Sequence, residues 1–182
     1  MSVVKLFRNG LAYIRGLIFR IFHLKAVGKN FRYFSGASVR LYRGSKIKIG
    51  DSVKIDNHAV VAVQGQGTLE IGDHVGIGSH NMIVCHKSLR IQEGTILGPG
   101  VQIYDHDHLY SSETGVDPRR YKYADVSIGK NCWIGANTVI LRGTVIGDNS
   151  LVGAGCVLKG EYPKGSVIIQ KRETTILKHE GK

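Results

Sequence analysis

Two histidines alternate with two aspartates in one short stretch of the chain, Tyr104-Asp105-His106-Asp107-His108. The pKa of a histidine side chain lies near neutrality, which suits it to act as a general base. A carboxylate beside the ring can hold its tautomer and stabilise the imidazolium. The pattern therefore predicts a base at one of the two histidines, with Asp105 or Asp107 orienting the ring. A surface loop held by Asx turns and a metal site are the alternatives, because His and Asp are also metal ligands.

The elements that must position this stretch follow a repeat of six residues. Aliphatic residues fall every six positions, and a small residue lies four positions after each of the first five. A step of six fits neither the period of a helix nor the alternation of a strand. It is typical of a chain that turns a corner every six residues and points one aliphatic side chain inward per side, so that three sides close one coil of a parallel β-helix. The aliphatic set is Ile128, Ile134, Ile140, Ile146, Val152 and Leu158, and the small set is Cys132, Thr138, Thr144, Ser150 and Cys156.

The inward set continues towards the N-terminus with three longer steps. These steps, 61 to 71, 83 to 91 and 103 to 128, all follow the third member of a triplet, so the insertions are predicted to lie at one corner of the prism. The longest insertion, from Tyr104 to Ser127, is the expected functional arm. In this register His86 and His106 occupy equivalent positions on successive coils and should stack about 5 Å apart. The additional inward residues are Ile49, Ile55, Val61, Ile71, Ile77, Ile83, Ile91, Leu97 and Ile103.

Glycine follows many of the inward residues, and Asp or Asn often comes next, as in Ile71-Gly72-Asp73. Glycine, asparagine and aspartate tolerate positive φ, which tight corners demand. These glycines are therefore expected to shape the corners of the coil.

Residues 1–25 are predicted to form an amphipathic helix, because apolar residues step by three and four along them. Such a helix either caps the open end of the β-helix, packs on a sister chain, or lies on an anionic membrane surface. Its longest uncharged run is far too short to span a bilayer. Residues 26–48 are expected to form an irregular lead-in coil, residues 49–170 the β-helix with loop 104–127, and residues 171–182 a basic tail. The apolar set is Val4, Phe7, Leu11, Ile14, Ile18 and Ile21.

The length of 182 residues suits one domain with a small appendage, and the net charge of +11 favours anionic partners. No aromatic-interleaved basic motif is present, so a nucleic-acid partner is not expected. Three cysteines, two of them in small repeat positions, indicate packed free thiols. The chain shows no signal-peptide pattern, which predicts a cytoplasmic location, with the inner face of the membrane as the site of any lipid contact.

The repeat tract carries a resemblance to a known family. Ile128-Gly129-Lys130-Asn131-Cys132-Trp133-Ile134-Gly135, with Val145-Ile146-Gly147-Asp148-Asn149-Ser150 and Val152-Gly153-Ala154-Gly155, resembles the hexapeptide-repeat acyltransferases over about residues 70–170. The resemblance is greatest to the maltose/galactoside O-acetyltransferases and their relatives in polysaccharide biosynthesis. It implies an all-β fold built on a left-handed parallel β-helix, a homotrimer, acetyl-CoA as cosubstrate and a saccharide acceptor.

The resemblance also implies roles for single residues. Ungapped matching places the catalytic histidine of the family on His108, with His106 as the second choice. The positions of the coenzyme A contacts correspond to Ala136, Ala154 and the Lys159-Gly160 turn, and the acceptor-binding Asn of the family falls near Gly78. The family's segment near the C-terminus is replaced by Gln170-Lys171-Arg172-Glu173, where two basic side chains could meet phosphates. The predicted cofactor-binding set is Trp133, Gly135, Ala136, Gly153, Ala154, Lys159, Lys171 and Arg172, and the predicted substrate-binding set is His80, Asn81 and His86.

The predicted reaction is the transfer of an acetyl group to a saccharide hydroxyl, with His108 as general base and a backbone N–H near Gly135 and Ala136 at the oxyanion. Amine acceptors and lipid-linked glycans stay open. Ala136 and Ala154 are one coil apart and should stack in a column, which follows the second member of each triplet, whereas the arm follows the third. The base and the coenzyme column of one chain therefore lie at different corners, and a working site needs two chains. This favours a trimer independently of the family. The rival hypotheses are a zinc enzyme like the γ-class carbonic anhydrases, using His86, His106 and His108, and a non-catalytic basic scaffold at a membrane.

Overall fold

The computed structural model describes residues 3–23, 25–171, 173 and 175, and for Val3 and Lys5 the backbone alone. These residues form one helix, α1 (Val3–Phe22), and twenty-one strands, nineteen of which lie in three parallel sheets. Successive strands of the chain visit the three sheets in turn, so each sheet is one face of a three-sided coil. Six complete coils are stacked, and a further strand begins a seventh.

The strands of the first face are β1 (Arg32–Tyr33), β4 (Lys54–Ile55), β7 (Gly76–Ile77), β10 (Ile96–Leu97), β15 (Trp133–Ile134), β18 (Leu151–Val152) and β21 (Val167–Ile168). The second face contains β2 (Ser38–Leu41), β5 (Val60–Val63), β8 (Met82–Cys85), β11 (Gln102–Tyr104), β16 (Val139–Ile140) and β19 (Val157–Leu158). The third face contains β3 (Lys46–Ile49), β6 (Thr68–Ile71), β9 (Ser88–Ile91), β14 (Val126–Ile128), β17 (Val145–Ile146) and β20 (Glu161–Tyr162). We call the turns from the first face to the second, from the second to the third, and from the third to the first the first, second and third corners.

The core is the column of aliphatic side chains inside the coils. All fifteen inward residues predicted from the six-residue step are buried, and they pair in register between coils, as Ile83 does with Ile103 and Ile103 with Ile140. The small side chains four positions later are buried as well, and their hydroxyls donate to backbone carbonyls inside the corners, as Thr138 does to Gly153 at 3.2 Å. The predicted repeat is therefore confirmed, since each coil buries its aliphatic residues only against the coils above and below.

The glycines that follow the inward residues have a different role from the one expected. Gly135 does not adopt a positive φ; the left-handed residue at this corner is Asn137, with φ of 56°. A Cβ on Gly135 would instead lie 2.5 Å from the backbone nitrogen of Ala154 in the next coil. Glycine is therefore required here because stacked corners approach one another too closely for a side chain.

The first coil begins earlier than residue 49. Within residues 26–48, expected to be irregular, β2 pairs with β5 over four residues and β3 pairs with β6 over four residues. The inward positions of this coil are Tyr33, Val39 and Ile49, and the tyrosine and the ten-residue step from Val39 to Ile49 hide the six-residue register in the sequence. The regular stack thus extends to the N-terminal helix.

Helix α1 lies across the open N-terminal end of the stack. Ala12 is fully buried, and a Cβ on Gly16 would overlap the carbonyl oxygen of Phe31. Phe19 packs on Phe31, with ring centroids 5.8 Å apart, and Tyr13 donates a hydrogen bond to Asn30. A helix covers the end of the repeat, as a solenoid requires.

The long insertion leaves the second corner as a hairpin. Its strands, β12 (His106–Ser111) and β13 (Gly115–Tyr123), pair antiparallel, with a register shift between His108 and Leu109. The other two insertions in the predicted register, between β5 and β6 and between β8 and β9, lie at the same corner. We refer to residues 105–125 as the arm.

Candidate active site

Asp105 fixes the base of the arm to the coil before it. Its carboxylate is fully buried and accepts hydrogen bonds from the backbone N–H groups of His86, Lys87 and Ser88, at 2.7 to 3.0 Å. It also accepts one from Nδ1 of His106 at 3.1 Å. Burial opposes ionisation of this carboxyl, but the bonds from His106 and the backbone outweigh it and hold the pKa of Asp105 below its ordinary value.

His86 and His106 stack as the register predicted. Their ring centroids are 3.8 Å apart with an angle of 26° between the planes. Burial, and then the charge that His106 would carry, lower the pKa of His86. Since Asp105 accepts from Nδ1 of His106, that nitrogen carries the hydrogen and Nε2 is left as the basic atom of the ring.

His108 lies further along β12 and is exposed. Its Nδ1 is 3.2 Å from the backbone carbonyl of Asp117, which can only accept, so Nδ1 carries the hydrogen and Nε2 is free to take a proton. Its ring lies 4.5 Å from that of Tyr121, which belongs to the opposite strand of the arm. Tyr121 also contacts His86 and His106, so one tyrosine ring touches all three histidines.

Neither aspartate orients His108, in contrast to the expectation. Asp107 forms an ion pair with Arg142, in the second corner of the coil that follows the arm. Asp105 is drawn inward by the backbone N–H groups of the preceding coil. The two carboxylates therefore hold the arm between two coils, and the ring of His108 is oriented by a backbone carbonyl.

The tyrosines and Arg142 are site residues that the sequence prediction missed. Tyr121 and Tyr123 alternate as His106 and His108 do, and a Gly-containing turn between two alternating runs is a hairpin signal. That signal could have found the tyrosines. For Arg142 the sequence offers no signal except its place in the second corner, because its partner is 35 residues away.

Four of the predicted coenzyme residues, Gly135, Ala136, Gly153 and Ala154, lie at the first corner, away from the arm. Ala136 and Ala154 are stacked in successive coils, linked by a hydrogen bond of 2.7 Å from the Gly155 N–H to the Ala136 carbonyl. The N–H of Gly135 donates to the Val152 carbonyl at 2.8 Å, so it is engaged within the coil. Of the two backbone N–H groups expected near the oxyanion, those of Gly135 and Ala136, the candidate donor is therefore that of Ala136.

Trp133 projects outward from the first face and is 58% exposed. It continues a row of outward apolar side chains on neighbouring strands. Gly153, another residue predicted to bind the coenzyme, follows Leu151 of the next strand by two positions. The members of the row are Ile96, Trp133, Leu151 and Val167.

Three members of the predicted coenzyme set are basic: Lys159, in the predicted coenzyme-binding turn, and Lys171 and Arg172, predicted to meet the phosphates. Lys159 follows β19 and so lies at the second corner. Lys159 and Lys171 are exposed, and Arg172 lies outside the described residues. Gln170, in the segment that departs from the family, accepts from the Val157 N–H at 2.9 Å and donates to the Val157 carbonyl at 2.7 Å. Its amide thereby satisfies the last strand edge of the second face.

The predicted acceptor residues separate in the structure. His80 is exposed at the first corner and stacks on His58, with centroids 5.2 Å apart. Asn81 is only 1% exposed, and its side-chain oxygen accepts from the Val101 N–H at 2.8 Å. It points into the coil, because it occupies the small inward position of its repeat, so Asn81 is a structural residue of the corner. His86 lies under the arm at the second corner.

The geometry thus divides the candidate residues between two corners of one chain. His86, His106 and His108 lie at the second corner, and Ala136 and Ala154 at the first. Among residues 3–23, 25–171, 173 and 175, no group of three His, Cys, Asp or Glu side chains is arranged to hold a metal ion.

Residues 125–160 match the family described as bacterial transferase hexapeptide (six repeats). The chain is similar to WbbJ of Escherichia coli (strain K12), described as a candidate lipopolysaccharide biosynthesis O-acetyl transferase, with 31% identity over 112 residues and 57% of each chain covered. It is also similar to the dTDP-4-amino-4,6-dideoxy-D-glucose acyltransferase of Escherichia coli, with 27% identity over 155 residues, 82% of this chain and 79% of that one.

Among solved structures, the chain resembles a mutant of AntD, an N-acyltransferase from Bacillus cereus in complex with dTDP and coenzyme A, with a TM-score of 0.67. The match covers 80% of each chain at 22% identity, so the likeness is one of fold. It agrees with the predicted left-handed parallel β-helix, which is thereby confirmed.

The matched segments do not extend over the whole of every relative: the chain spans little more than half of WbbJ. The chain shares the hexapeptide repeat with the matching family, and it shares sequence similarity with two proteins named as acyltransferases. On these grounds the chain resembles the hexapeptide-repeat acyltransferases in its repeat and in its fold.

Proposed function

We propose that this protein transfers an acetyl group from acetyl-CoA to a hydroxyl of a saccharide. The observation that carries the proposal is the exposed ring of His108, which the Asp117 carbonyl holds through Nδ1 at 3.2 Å, so that Nε2 is left to take a proton. Relatives named as sugar acyltransferases, and a structural neighbour with coenzyme A bound, support the reaction class and the donor.

In the proposed mechanism, Nε2 of His108 removes the proton from the acceptor hydroxyl as its oxygen attacks the thioester carbonyl. The negative charge that develops on the carbonyl oxygen is met by the Ala136 N–H, and donors of this kind are commonly worth a few kcal/mol. The tetrahedral intermediate then collapses, the C–S bond breaks, and the proton passes from His108 to the coenzyme A thiolate. His106, which is paired with Asp105, is the alternative base.

A homotrimer is part of the proposal, because one chain presents its base and its coenzyme column at different corners. The arm of one subunit would meet the column of Ala136 and Ala154 on the next. The outward apolar row containing Ile96 and Trp133 on the first face supports such an association, since exposed apolar surface of this kind marks an interface. A cyclic trimer gives each of three clefts one arm and one column.

For the acceptor, we propose a saccharide of a surface polysaccharide, carried on a lipid at the cytoplasmic face of the membrane. The similarity to WbbJ supports the polysaccharide role. The similarity to an acyltransferase of an amino sugar favours a nucleotide-linked amino sugar as the second candidate, with the nitrogen in place of the hydroxyl.

The test is release of coenzyme A thiol from acetyl-CoA, measured with maltose, a galactoside and dTDP-4-amino-4,6-dideoxyglucose as acceptors. We expect acceptor-dependent release that His108→Ala lowers by about a thousand-fold, within the range for loss of a general base. Exposed His74 provides the matched control, and His74→Ala should keep full activity.

If His108→Ala kept full turnover and His106→Ala were inactive, the general base would be His106 and not His108. Stoichiometric zinc in the purified protein without any thioester turnover would reject acyl transfer in favour of a metal enzyme.

A further inference from the structure

The apolar face of helix α1 is uncovered in the structure. Phe7 is 68% exposed, Ile14 is 55% exposed and Ile18 is 51% exposed. They are spaced by seven and four residues, which places them on one side of the helix. We call this surface the apolar arc; its members are Val4, Leu6, Phe7, Leu11, Ile14, Leu17, Ile18 and Ile21.

The opposite side of the same helix is the one that packs. Ala12, Gly16 and Phe19 are spaced by four and three residues and face the first coil. At 100° per residue these positions lie across the helix from Phe7 and Ile14. Packing on the β-helix therefore fixes the apolar arc so that it points away from the body of the protein.

Several contacts hold the helix in this orientation. Gly16 sits directly on the Phe31 carbonyl, Tyr13 donates to Asn30, and Nε of Arg20 donates to the Val27 carbonyl at 3.3 Å. The arc is thus a preorganised surface on a rigid end.

The net charge of the chain is concentrated at this end. Residues 1–50 contain eleven Lys and Arg and no Asp or Glu, whereas residues 51–182 contain fourteen basic and fourteen acidic residues. The whole excess of +11 therefore belongs to α1 and the first coil. At 100° per residue, Arg8 and Arg15 lie along one edge of the apolar arc, and side chains of this length extend to charged headgroups beside it. The guanidinium of Arg8 also lies 5.9 Å from the centroid of the Phe34 ring in the first coil.

We propose that the apolar arc docks on an anionic lipid bilayer, with α1 lying in the plane of the interface and the β-helix standing on its N-terminal end. An amphipathic helix of this kind buries its apolar side at the boundary between headgroups and acyl chains. Lys and Arg next to the surface add attraction to anionic lipids. Within the described residues no helix is long and apolar enough to cross the bilayer.

Charge decides between a bilayer and a second copy of the chain. Two copies joined arc to arc would bring together two ends that carry basic residues and no acidic ones. Like charges facing one another disfavour that contact, whereas an anionic bilayer neutralises them.

The docked geometry places the arm at a set height above the lipid. The arm leaves the fourth coil, three coils beyond β2, which at the usual spacing of strands is about 15 Å. In the proposed trimer the three subunits are related by rotation about one axis, so all three apolar arcs lie at the same end of the assembly. Three arcs that bind one bilayer together raise the overall affinity above that of a single arc. An acceptor headgroup at the bilayer would be within reach of the arm; this last step rests on the proposed function, while docking itself does not.

The experiment is co-sedimentation of the full chain with phosphatidylcholine vesicles, with and without phosphatidylglycerol. We expect binding to the anionic vesicles and little to the neutral ones. The double substitution Phe7→Ser with Ile18→Ser should lower the partition coefficient by about ten-fold or more, since both side chains would be buried in lipid. Arg15→Glu should lower binding to the anionic vesicles by about ten-fold.

Ile169→Ser is the matched control, because Ile169 is 69% exposed at the opposite end of the stack; it should bind like the unsubstituted chain. Since vesicle binding needs no turnover, a chain that binds vesicles yet shows no acyl transfer would reject the proposed function alone. Failure to sediment with anionic vesicles, or undiminished binding of the Phe7→Ser/Ile18→Ser variant, would overturn the docking. The docking would also be overturned if the unsubstituted chain did not bind vesicles but formed an assembly that the Phe7→Ser/Ile18→Ser variant dissociated. That result would assign the apolar arc to contact with a second copy of the chain.

Discussion

At the scale of single residues, Asp105 is expected to contribute more to the stability of the fold than its neighbours in the arm. Three backbone N–H groups and one imidazole converge on a carboxylate with no exposed surface. Buried donors that lose their acceptor cost free energy, because water cannot replace it. The same carboxylate holds both the corner that carries His86 and the ring of His106, so its loss would affect the fold and the site together.

Asp105→Ala should therefore lower the free energy of unfolding by about 3 kcal/mol, measured by urea denaturation at fixed protein concentration. Asp125→Ala is the control, since Asp125 only forms an exposed ion pair with Lys87 and should cost less than about 0.5 kcal/mol. Equal effects of the two substitutions would contradict the anchoring role of Asp105.

The contribution of Asp105 should also depend on pH. Because its pKa is lower in the folded chain, the stabilisation is complete above the unfolded pKa of about 3.9 and is lost as the pH falls through the folded pKa. The stability gap between the unsubstituted chain and Asp105→Asn should stay constant down to about pH 5 and narrow below about pH 4. A gap that widened on acidification would refute this assignment.

At the scale of elements, the stacked corners determine which glycines are required. Gly135 and Gly76 both lie on or beside the first face, yet their surroundings differ. A Cβ on Gly135 would meet the Ala154 nitrogen at 2.5 Å, whereas one on Gly76 would meet a methyl group of Ile96 at 3.9 Å. The first contact forces two coils apart, and the second is an ordinary van der Waals contact.

Gly135→Ala should accordingly lower the free energy of unfolding by about 2 kcal/mol or more, as overpacking does. Gly76→Ala should leave it unchanged or raise it by about 0.5 kcal/mol, because alanine restricts the unfolded chain. Thermal or urea denaturation of the pair checks this directly, and a tolerated Gly135→Ala would show that the corners can move apart at little cost.

At the scale of the whole molecule, the proposed site exists only between subunits. The arm and the alanine column lie at different corners of each coil, so no single chain brings them together. A trimer in which each cleft takes one arm and one column makes a quantitative prediction about mixed assemblies.

His108→Ala and Ala136→Glu should each be inactive alone, the first for lack of a base and the second because a carboxylate blocks the column. When the two are co-expressed and assemble at random, about a quarter of the clefts combine an intact arm with an intact column, so about a quarter of the activity should return. Thiol release with the acceptor found for the unsubstituted chain measures this. Mixtures that stay inactive would place the site within one chain.

The sequence by itself determined the three-sided coil, its inward residues and the corner from which the arm leaves. It could do so because each coil contacts only the next, and local periodicity therefore specifies the core. It also determined that His86 and His106 stack, since equal offsets from Ile83 and Ile103 become neighbours in a parallel stack.

Only the tertiary structure decided what the polar residues of the arm contact and which side of α1 is free. Asp107 pairs with Arg142 across 35 positions of the chain, and His108 rests on a carbonyl presented by a hairpin whose register no repeat dictates. The apolar stripe of α1 was visible in the sequence, but the choice of Ala12 and Gly16 as the packed side depends on how closely two backbones can approach. These contacts are long-range and depend on shape, and a pattern read along the chain specifies neither.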